Sequence, residues 1–182
     1  MVEVGVSELR RSRDRLERQA KAAEGAGEPA TSGLLLFYAV ECALKAELLR
    51  GVLHRNDTSG LPSDLRSHDL RRLAKALKLK APEAADPLRC RRRRGGGWIE
   101  CRELHEAWRY GAELRAEDQK AALESLKALL DDARGGERGG RQALHLGGCG
   151  CPPGAVRGRR QVARVADGGR CLVGRPGAVR PS

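Results

Sequence analysis

The stretch TSGLLLFYAVECALKAELLRGVLH, residues 31–54, decides the fold of this chain. As a helix this segment is apolar on most sides, and helices of that kind belong in a protein interior. Thr31 and Ser32 at its start are both good N-cap residues. We therefore predict that a helix runs from about residue 31 to residue 54 and that it is the central, most buried helix of the domain.

Two charged residues stand out in this apolar helix. Glu41 and Lys45 are four positions apart, so their side chains lie on one helical face and can form an ion pair. Because a buried charge needs a partner, Glu41 can instead pair with Arg109 or with another cation from a neighbouring helix. In both arrangements we expect the role of Glu41 to be structural.

Four further segments have the spacing of amphipathic helices, with leucine and alanine recurring every three or four positions. They cover residues 7–24, 67–79, 98–115 and 117–134. Aromatic residues make up only 3% of the chain and alternating patterns are absent, so strands are not expected. The sequence predicts an all-α fold, an up-and-down bundle of four to five helices within residues 1–134.

The last part of the chain, residues 135–182, has a different composition. It contains thirteen glycines and four prolines and has no long apolar run. Such a segment cannot bury enough apolar surface to offset backbone ordering, which costs roughly 1–2 kcal/mol per residue. We predict a disordered, basic, Gly/Arg-rich tail outside the bundle.

The net charge of +11 is concentrated in two places. The tail holds nine arginines against two carboxylates, which gives it a charge of +7 and leaves +4 for residues 1–134. One predicted loop supplies more than that remainder through Arg89, Arg91, Arg92, Arg93 and Arg94. A localised basic cluster is typical of a nucleic-acid contact, and RNA is the expected partner. Alternatively, the arginines reflect codon bias, because arginine greatly outnumbers lysine.

The sequence predicts a cytoplasmic protein. It has no run of about 18 apolar residues that could span a membrane, and its charged N-terminal stretch lacks the apolar core of a secretory signal. The six cysteines include no CxxC pair and make no disulfide framework, so we expect reduced thiols.

No metal or cofactor is expected. In the tail, His145, Cys149, Cys151 and Cys171 have the chemistry of zinc ligands, but their spacing fits no common zinc site. The three glycines at positions 95–97 follow arginines and lack the GK[ST] sequence of a phosphate-binding loop.

The best candidate for a catalytic site is a set of cationic side chains in the fourth segment. Arg102, His105 and Arg109 are three and four positions apart, which predicts that they share one helical face. Cleaving RNA without a metal needs an acid–base group with a pKa near neutrality, which histidine has, and fixed cations on the phosphate. Trp108 and Tyr110 nearby can stack on bases. The alternative is a solvated charged face whose arginines pair with neighbouring glutamates.

His68 and Asp69 open the third segment. One interpretation is a catalytic or ligand-binding pair. The favoured interpretation is a helix cap, in which Asp69 complements the positive end of the helix dipole and His68 bonds to a neighbouring loop.

Three stretches, in their order and spacing, resemble the HEPN (higher eukaryotes and prokaryotes nucleotide-binding) family. FYAVECALKAELL, residues 37–49, resembles the family's second helix, where an aromatic pair is followed by a small residue, Glu and Leu-Lys-Ala. SHDLRRLAKAL, residues 67–77, resembles the His-Asp-Leu opening of the next helix. LHEAWRYGAEL, residues 104–114, resembles the Trp-Arg-Tyr helix near the end of the domain. The resemblance covers about residues 5–134.

The resemblance implies an up-and-down helical bundle that is commonly a homodimer. Many members of the family are metal-independent ribonucleases of toxin–antitoxin or anti-phage defence systems, and others are inactive binding or scaffolding subunits. Active members typically share an Arg-x4-6-His motif, with two copies facing each other across the dimer. Here that spacing occurs only between Arg138 and His145 in the tail. The arginine–histidine pairs of the bundle, at 50/54, 66/68 and 102/105, are too close in sequence to match it.

Two functions are therefore expected. The first is an RNA-directed domain of a prokaryotic toxin–antitoxin or anti-phage defence module, which is a metal-independent endoribonuclease if it is active. The second is a non-enzymatic helical subunit that docks onto a larger defence or nucleic-acid-processing complex. In both cases we expect a homodimer or a complex with another protein chain.

Overall fold

Five α-helices and one short β-hairpin form the described part of the protein, which in this computed structural model comprises residues 3–79 and 88–143, with side chains to residue 135. The helices are α1 (Val6–Gly25), α2 (Pro29–Glu47), α3 (Leu70–Ala76), α4 (Leu104–Arg109) and α5 (Ala116–Ala143). The strands are β1 (Cys90–Arg91) and β2 (Trp98–Ile99). The prediction of an all-α helical bundle is confirmed. None of the described helices is long and apolar enough to cross a membrane.

Helix α2 is the centre of the bundle, as predicted. It contacts α1, α3, α4 and α5, and eleven of its nineteen residues are buried. Its neighbours surround it with buried leucines, among them Leu9 of α1, Leu73 of α3, Leu104 of α4 and Leu126 of α5. Each fully buried leucine contributes roughly 1.5–3 kcal/mol, so the other helices are stabilised mainly by packing around α2.

The ends of α2 differ from the prediction. The helix begins at Pro29, so Thr31 and Ser32 lie within its first turns and not at the cap. Proline suits the first helical position because an N–H there would have no intrahelical partner. At the other end a π-helical turn, Leu48–Val52, continues the helix, and His54 follows with a left-handed φ of 52°.

Asp69 caps α3, as predicted. Its Oδ1 accepts a hydrogen bond from the backbone N–H of Arg72 at 3.2 Å. The helix itself is shorter than the predicted 67–79, because it starts at Leu70 and ends at Ala76. Two 3₁₀ turns, Thr58–Gly60 and Ser63–Leu65, connect the end of α2 to this cap.

The β-hairpin is the main departure from the predicted fold. The sequence predicts one helix over 98–115, but β2 pairs antiparallel with β1 in the register Cys90↔Ile99 and Arg91↔Trp98. A 3₁₀ turn at Cys101–Glu103 follows, and α4 is left with only six residues. Strands of two residues are too short to produce an alternating sequence pattern, so hydrophobic periodicity could not predict them.

The arginine-rich segment predicted as a loop is part of the hairpin, with Arg91 in β1 and residues 92–94 between the strands. Gly95 and Gly96 adopt φ values of 81° and 67°, which glycine tolerates without strain, and they form the turn of the hairpin. Backbone hydrogen bonds of 2.8–3.0 Å close this turn and join it to the residues before α5: Arg92 N–H to Gly97 C=O, Arg93 N–H to Glu113 C=O and Arg115 N–H to Arg91 C=O.

Helix α5 is longer than predicted. It continues to Ala143, nine residues beyond the predicted end at Arg134. Glycine is a poor helix former, but each residue added to an existing helix gains a hydrogen bond without a new nucleation step. The rest of the predicted tail, residues 144–182, lies outside the described residues, and with it lie His145 and the three tail cysteines.

Gly33 of α2 allows the indole ring of Trp108 to lie against the helix. A Cβ at position 33 would stand 2.6 Å from Cε2 of Trp108, closer than real Cβ contacts come. We expect Gly33→Ala to destabilise the fold by about 1–3 kcal/mol, the usual cost of overpacking, despite the better helix propensity of alanine. Urea unfolding followed by circular dichroism measures this change.

Gly25→Ala at the end of α1 is the matched control, because nothing lies within 4 Å of its Cβ position. We expect this variant to be as stable as the wild type or slightly more stable. Equal stability of the two variants would contradict the packing of Trp108 on α2.

Candidate functional site

Two histidine side chains lie against each other where α2, the start of α3 and α4 meet. The ring centroids of His68 and His105 are 4.9 Å apart, with 35° between the ring planes. Phe37 of α2 stacks on His105 at 5.1 Å, and Tyr38 stands edge-on to both histidines, with its centroid 6.2 Å from His68 and 6.1 Å from His105. We call Tyr38, Glu41, His68 and His105 the histidine cluster.

Glu41 fixes the orientation of His68. The buried carboxylate has Oε2 at 2.8 Å from Nδ1 of His68, and its Oε1 accepts a hydrogen bond from Nζ of Lys45 at 2.6 Å. An ionised carboxylate only accepts hydrogen bonds, so Nδ1 of His68 carries the proton and Nε2 is left as the basic nitrogen. The predicted Glu41–Lys45 ion pair is confirmed. The partner of Glu41 from another element is His68, rather than Arg109.

The two histidines differ in their access to solvent. The side chain of His68 is 54% exposed, whereas that of His105 is 9% exposed. Burial lowers the pKa of His105 below its usual value, and the nearby His68 lowers it further. Nδ1 of His105 is buried without a hydrogen-bond partner among the described residues. His105 is therefore favoured as a neutral ring at neutral pH, and His68 is the histidine that a substrate can reach.

Arg102, His105 and Arg109 do not share one exposed face, contrary to the prediction. Helix α4 begins two residues after Arg102, which belongs to the preceding 3₁₀ turn. Nη2 of Arg102 lies 3.4 Å from Oε1 of Glu103. Arg109 is exposed, with its guanidinium 5.7 Å from the ring of Tyr110. His105 points inward instead, because the buried side of α4 packs on the core.

Arg109 nevertheless lies near the histidine cluster. Its positive charge acts to lower the pKa of Tyr38, but burial and, after it, the negative charge of Glu41 outweigh this effect, so the pKa of Tyr38 is raised. Tyr38 is therefore a neutral phenol at neutral pH and can donate a hydrogen bond. Arg109 is therefore close enough to the hydroxyl of Tyr38 for its charge to act on the pKa of that group.

The two aromatic residues predicted to stack on bases have opposite environments. Trp108 is 4% exposed and packs where a Cβ of Gly33 would be, so its ring is covered and no base can reach it. Tyr110 is 76% exposed and remains available. Trp108 lies on the side of α4 that faces the core, whereas Tyr110 follows the last residue of the helix and is turned to solvent.

The sequence assigns no role to Trp98, yet of the two tryptophans it is the exposed one. It is 49% exposed, and the guanidinium carbons of Arg89 and Arg91 lie 4.5 Å and 5.2 Å from its ring centroid. Its strand neighbour Ile99 and the paired Cys90 are buried, so the arginines and Trp98 share the outer face of the hairpin. The glycine triplet between an arginine run and a tryptophan is the one sequence signal that could have indicated this turn.

Asp118 anchors the hairpin to the first turn of α5. Its Oδ2 accepts hydrogen bonds from the backbone N–H and the Nε of Arg91 at 2.9 and 3.0 Å, and its Oδ1 accepts one from Nη2 at 3.1 Å. These bonds lower the pKa of Asp118, and a carboxylate at a helix start is also favoured by the helix dipole. Arg91 therefore has a structural role within the predicted nucleic-acid-binding cluster.

The other arginines of the cluster differ in how far their charge is compensated. Arg94 is exposed, and its Nε lies 3.6 Å from Oε2 of Glu113. Among the residues whose side chains the structure describes, Arg89, Arg92 and Arg93 have no carboxylate partner. Within the described part of the chain, no carboxylate compensates the positive charge of these three side chains at and beside the hairpin.

The cysteines of the described part are free thiols, at Cys42, Cys90 and Cys101. Burial raises their pKa values to about 11, about 12 and about 11. They are protonated at neutral pH and are poor nucleophiles. No group of three His, Cys, Asp or Glu side chains that could hold a metal ion occurs among the described residues.

The lowered pKa of His105 makes stability depend on pH. The unfolded chain takes up the proton near its usual pKa of 6.5, whereas the folded state resists it, so this contribution is complete above pH 6.5 and is lost as the pH falls through the folded-state value. We expect the Tm of the wild type to fall more between about pH 7 and about pH 5 than the Tm of His105→Gln. Parallel curves of Tm against pH would contradict the neutral state of His105.

Comparison with protein-family models, curated proteins and solved structures finds no match to this chain. The resemblance to HEPN domains therefore rests on the three sequence stretches alone. The chemistry of the histidine cluster and of the hairpin has to be argued from their own geometry.

Proposed function

We propose that this protein is a HEPN-like RNA-directed domain of a prokaryotic toxin–antitoxin or anti-phage defence module, and that it cleaves RNA without a metal ion. The observation that carries the proposal is the exposed ring of His68, whose Nδ1 is held by the buried carboxylate of Glu41. A histidine oriented in this way is arranged to act as a general base through its other nitrogen. The three resembling stretches support the family and the defence context.

In the proposed reaction, Nε2 of His68 takes the proton of a ribose 2′-hydroxyl. The 2′-oxygen attacks the adjacent phosphorus, the bond between phosphorus and the 5′-oxygen breaks, and the 5′-oxygen takes a proton from solvent. The products are a 2′,3′-cyclic phosphate and a 5′-hydroxyl. Glu41 stabilises the imidazolium that forms, as the carboxylate of a catalytic triad does, and Lys45 holds Glu41 in place.

The proposal assigns the acid–base role to His68, although the sequence spacing favoured His105. The two ring centroids are only 4.9 Å apart, which leaves no room for a phosphate between them, so the histidines cannot act from opposite sides of one phosphate. His105 packs behind His68 as a neutral ring and adds no second positive charge beside the imidazolium. The exposed Arg102 and Arg109 are the cations proposed to hold the phosphate.

A non-enzymatic helical subunit that docks onto a larger defence or nucleic-acid-processing complex is the second candidate function. One observation favours it: the only pair with the family's Arg-x4-6-His spacing, Arg138 and His145, lies outside the predicted bundle. The basic hairpin can bind nucleic acid without any chemistry at the histidine cluster. In both functions we expect the domain to form a homodimer or to bind another protein chain.

Cleavage of RNA in the presence of EDTA tests the catalytic proposal. We expect the wild type to generate fragments with 2′,3′-cyclic phosphate ends, and we expect His68→Gln to reduce the rate by about 10²–10⁴-fold, the usual contribution of a positioned acid–base group. Glu41→Gln should also reduce the rate, because the carboxylate that orients His68 is lost. Quantitative gel analysis with end-group mapping gives both results.

His54→Asn is the matched control for that experiment. His54 is exposed, lies outside the histidine cluster and has a left-handed φ that asparagine tolerates, so we expect full activity. If folded His68→Gln cleaves as fast as the wild type, the assignment of His68 is wrong. If the wild type cleaves no RNA, the docking-subunit function replaces the catalytic one.

The exposed arginines of the hairpin turn, Arg92, Arg93 and Arg94, predict how RNA binding depends on salt. Each phosphate contact contributes about 0.7 to the slope of log K against log salt concentration on single strands. We expect the triple variant Arg92→Gln, Arg93→Gln, Arg94→Gln to bind RNA more weakly and to flatten this slope by roughly 2. Fluorescence anisotropy at several salt concentrations measures the slope.

A triple Arg→Gln variant of α1 is the control, at the exposed positions Arg11, Arg15 and Arg18. It removes the same net charge from a different surface. We expect a smaller change in slope from this control than from the hairpin variant. Equal changes would mean that RNA responds to overall charge and that the hairpin is not the contact.

A further inference from the structure

The outer face of the hairpin exposes a large aromatic ring in a basic setting. Within the described residues, the exposed large apolar side chains are Val52, Trp98 and Tyr110. Trp98 stands opposite Arg91 in the strand register, and Arg89 lies over its ring at 4.5 Å. Packing in the core does not explain a tryptophan here, because the hairpin buries Cys90 and Ile99 on its other face and leaves half of Trp98 in solvent.

We propose that Trp98 is the stacking platform for an unpaired base of a single-stranded RNA, a substrate class that deepens and rests on the proposed RNA-directed function. Every base has a flat π-face that can stack on an indole ring. In a duplex those faces are already stacked on neighbouring base pairs, so a platform of this kind selects single strands. The exposed guanidinium groups of Arg92 and Arg93, which have no carboxylate partner among the described residues, are the contacts for the phosphates that flank the stacked base.

The hairpin holds this platform rigidly. Arg91, which lies beside the ring of Trp98, is bound through two side-chain nitrogens and its backbone N–H to Asp118 of α5. The turn is tied to the residues before α5 by further backbone hydrogen bonds. A ring fixed before the ligand arrives loses little conformational freedom on binding, which favours a stacking contact.

A surface cavity of about 260 Å³ lies between the hairpin and α4. Arg92, Ile99, Glu106 and Tyr110 are among its lining residues, and Oε1 of Glu106 lies 3.9 Å from Nε2 of the cluster residue His105. The glutamates of this cavity repel phosphates, whereas its exposed tyrosine offers a second stacking surface. The cavity therefore suits a base, and Arg92 in its lining is placed to contact the adjacent phosphate.

A short single-stranded RNA with 2′-O-methyl groups tests the proposal, because it lacks the 2′-hydroxyl and binds without being cleaved. Trp98 is the exposed one of the two tryptophans, so we expect the single strand to quench the tryptophan emission of the wild type. In Trp98→Leu the quenching should disappear, and binding should weaken by about 5- to 140-fold, the range that corresponds to 1–3 kcal/mol per stacked base.

Trp98→Tyr is the matched variant, since it keeps an aromatic face and should retain most of the affinity. A duplex of the same sequence should not quench Trp98. Circular dichroism and Tm establish that each variant is folded. Because α4 and the histidine cluster are untouched in these variants, the binding result is independent of whether the wild type cleaves RNA.

Three results would overturn the platform. The first is equal affinity of folded Trp98→Leu and wild type for the single strand, which leaves RNA binding and cleavage standing. The second is equal quenching by a duplex, and the third is equal quenching by a polyanion without bases, such as an acidic peptide. Conversely, Trp98-dependent binding by a protein that cleaves no RNA supports the platform while removing the proposed ribonuclease activity.

Discussion

A buried carboxylate on the central helix is the constraint on which the rest of the domain depends. Because α2 contacts every other described α-helix, the charge of Glu41 has little access to solvent and is compensated inside the domain. Lys45, on the same helix, forms an ion pair with Glu41. His68, the residue before the cap of α3, forms a hydrogen bond with it. Leaving a buried polar group without its hydrogen bond costs about 1–3 kcal/mol, and more when the group is charged, so the position of His68 is set by stability as well as by its proposed chemistry.

A second carboxylate, that of Asp118, holds the hairpin in place. Two-stranded hairpins are marginal on their own, and here the strands have two residues each. Asp118 attaches Arg91 to α5 through three hydrogen bonds, while Cys90 and Ile99 bury their side chains in the common core. An arginine-rich segment that would be mobile by itself thereby becomes a fixed surface, with its remaining cations and Trp98 directed to solvent.

The sequence predicted the features that depend on local pattern. The central helix, the cap at Asp69 and the ion pair of Glu41 with Lys45 follow from composition and from spacings of up to four residues. The histidine cluster could not be predicted this way, because His68 is 27 residues from Glu41, and their contact depends on how the connection after α2 folds back. The burial of Trp108, which was predicted to stack on bases, and the exposure of Trp98 could not be predicted for a similar reason. Residue type does not say which indole meets a glycine on a neighbouring helix and which stands on an outer strand face.

In the proposed function, binding and chemistry use different parts of the described surface, and this separation has physical consequences. The uncompensated arginines lie on the hairpin, so the affinity for a polyanion responds to ionic strength through that segment. The histidine cluster acts over hydrogen-bond distances, and its state depends on which ring holds a proton, because two imidazolium rings 4.9 Å apart would repel each other. Salt therefore acts mainly on the hairpin and pH mainly on the cluster. The two proposed functions, ribonuclease and docking subunit, therefore differ in the histidine cluster alone, since both assign RNA binding to the hairpin.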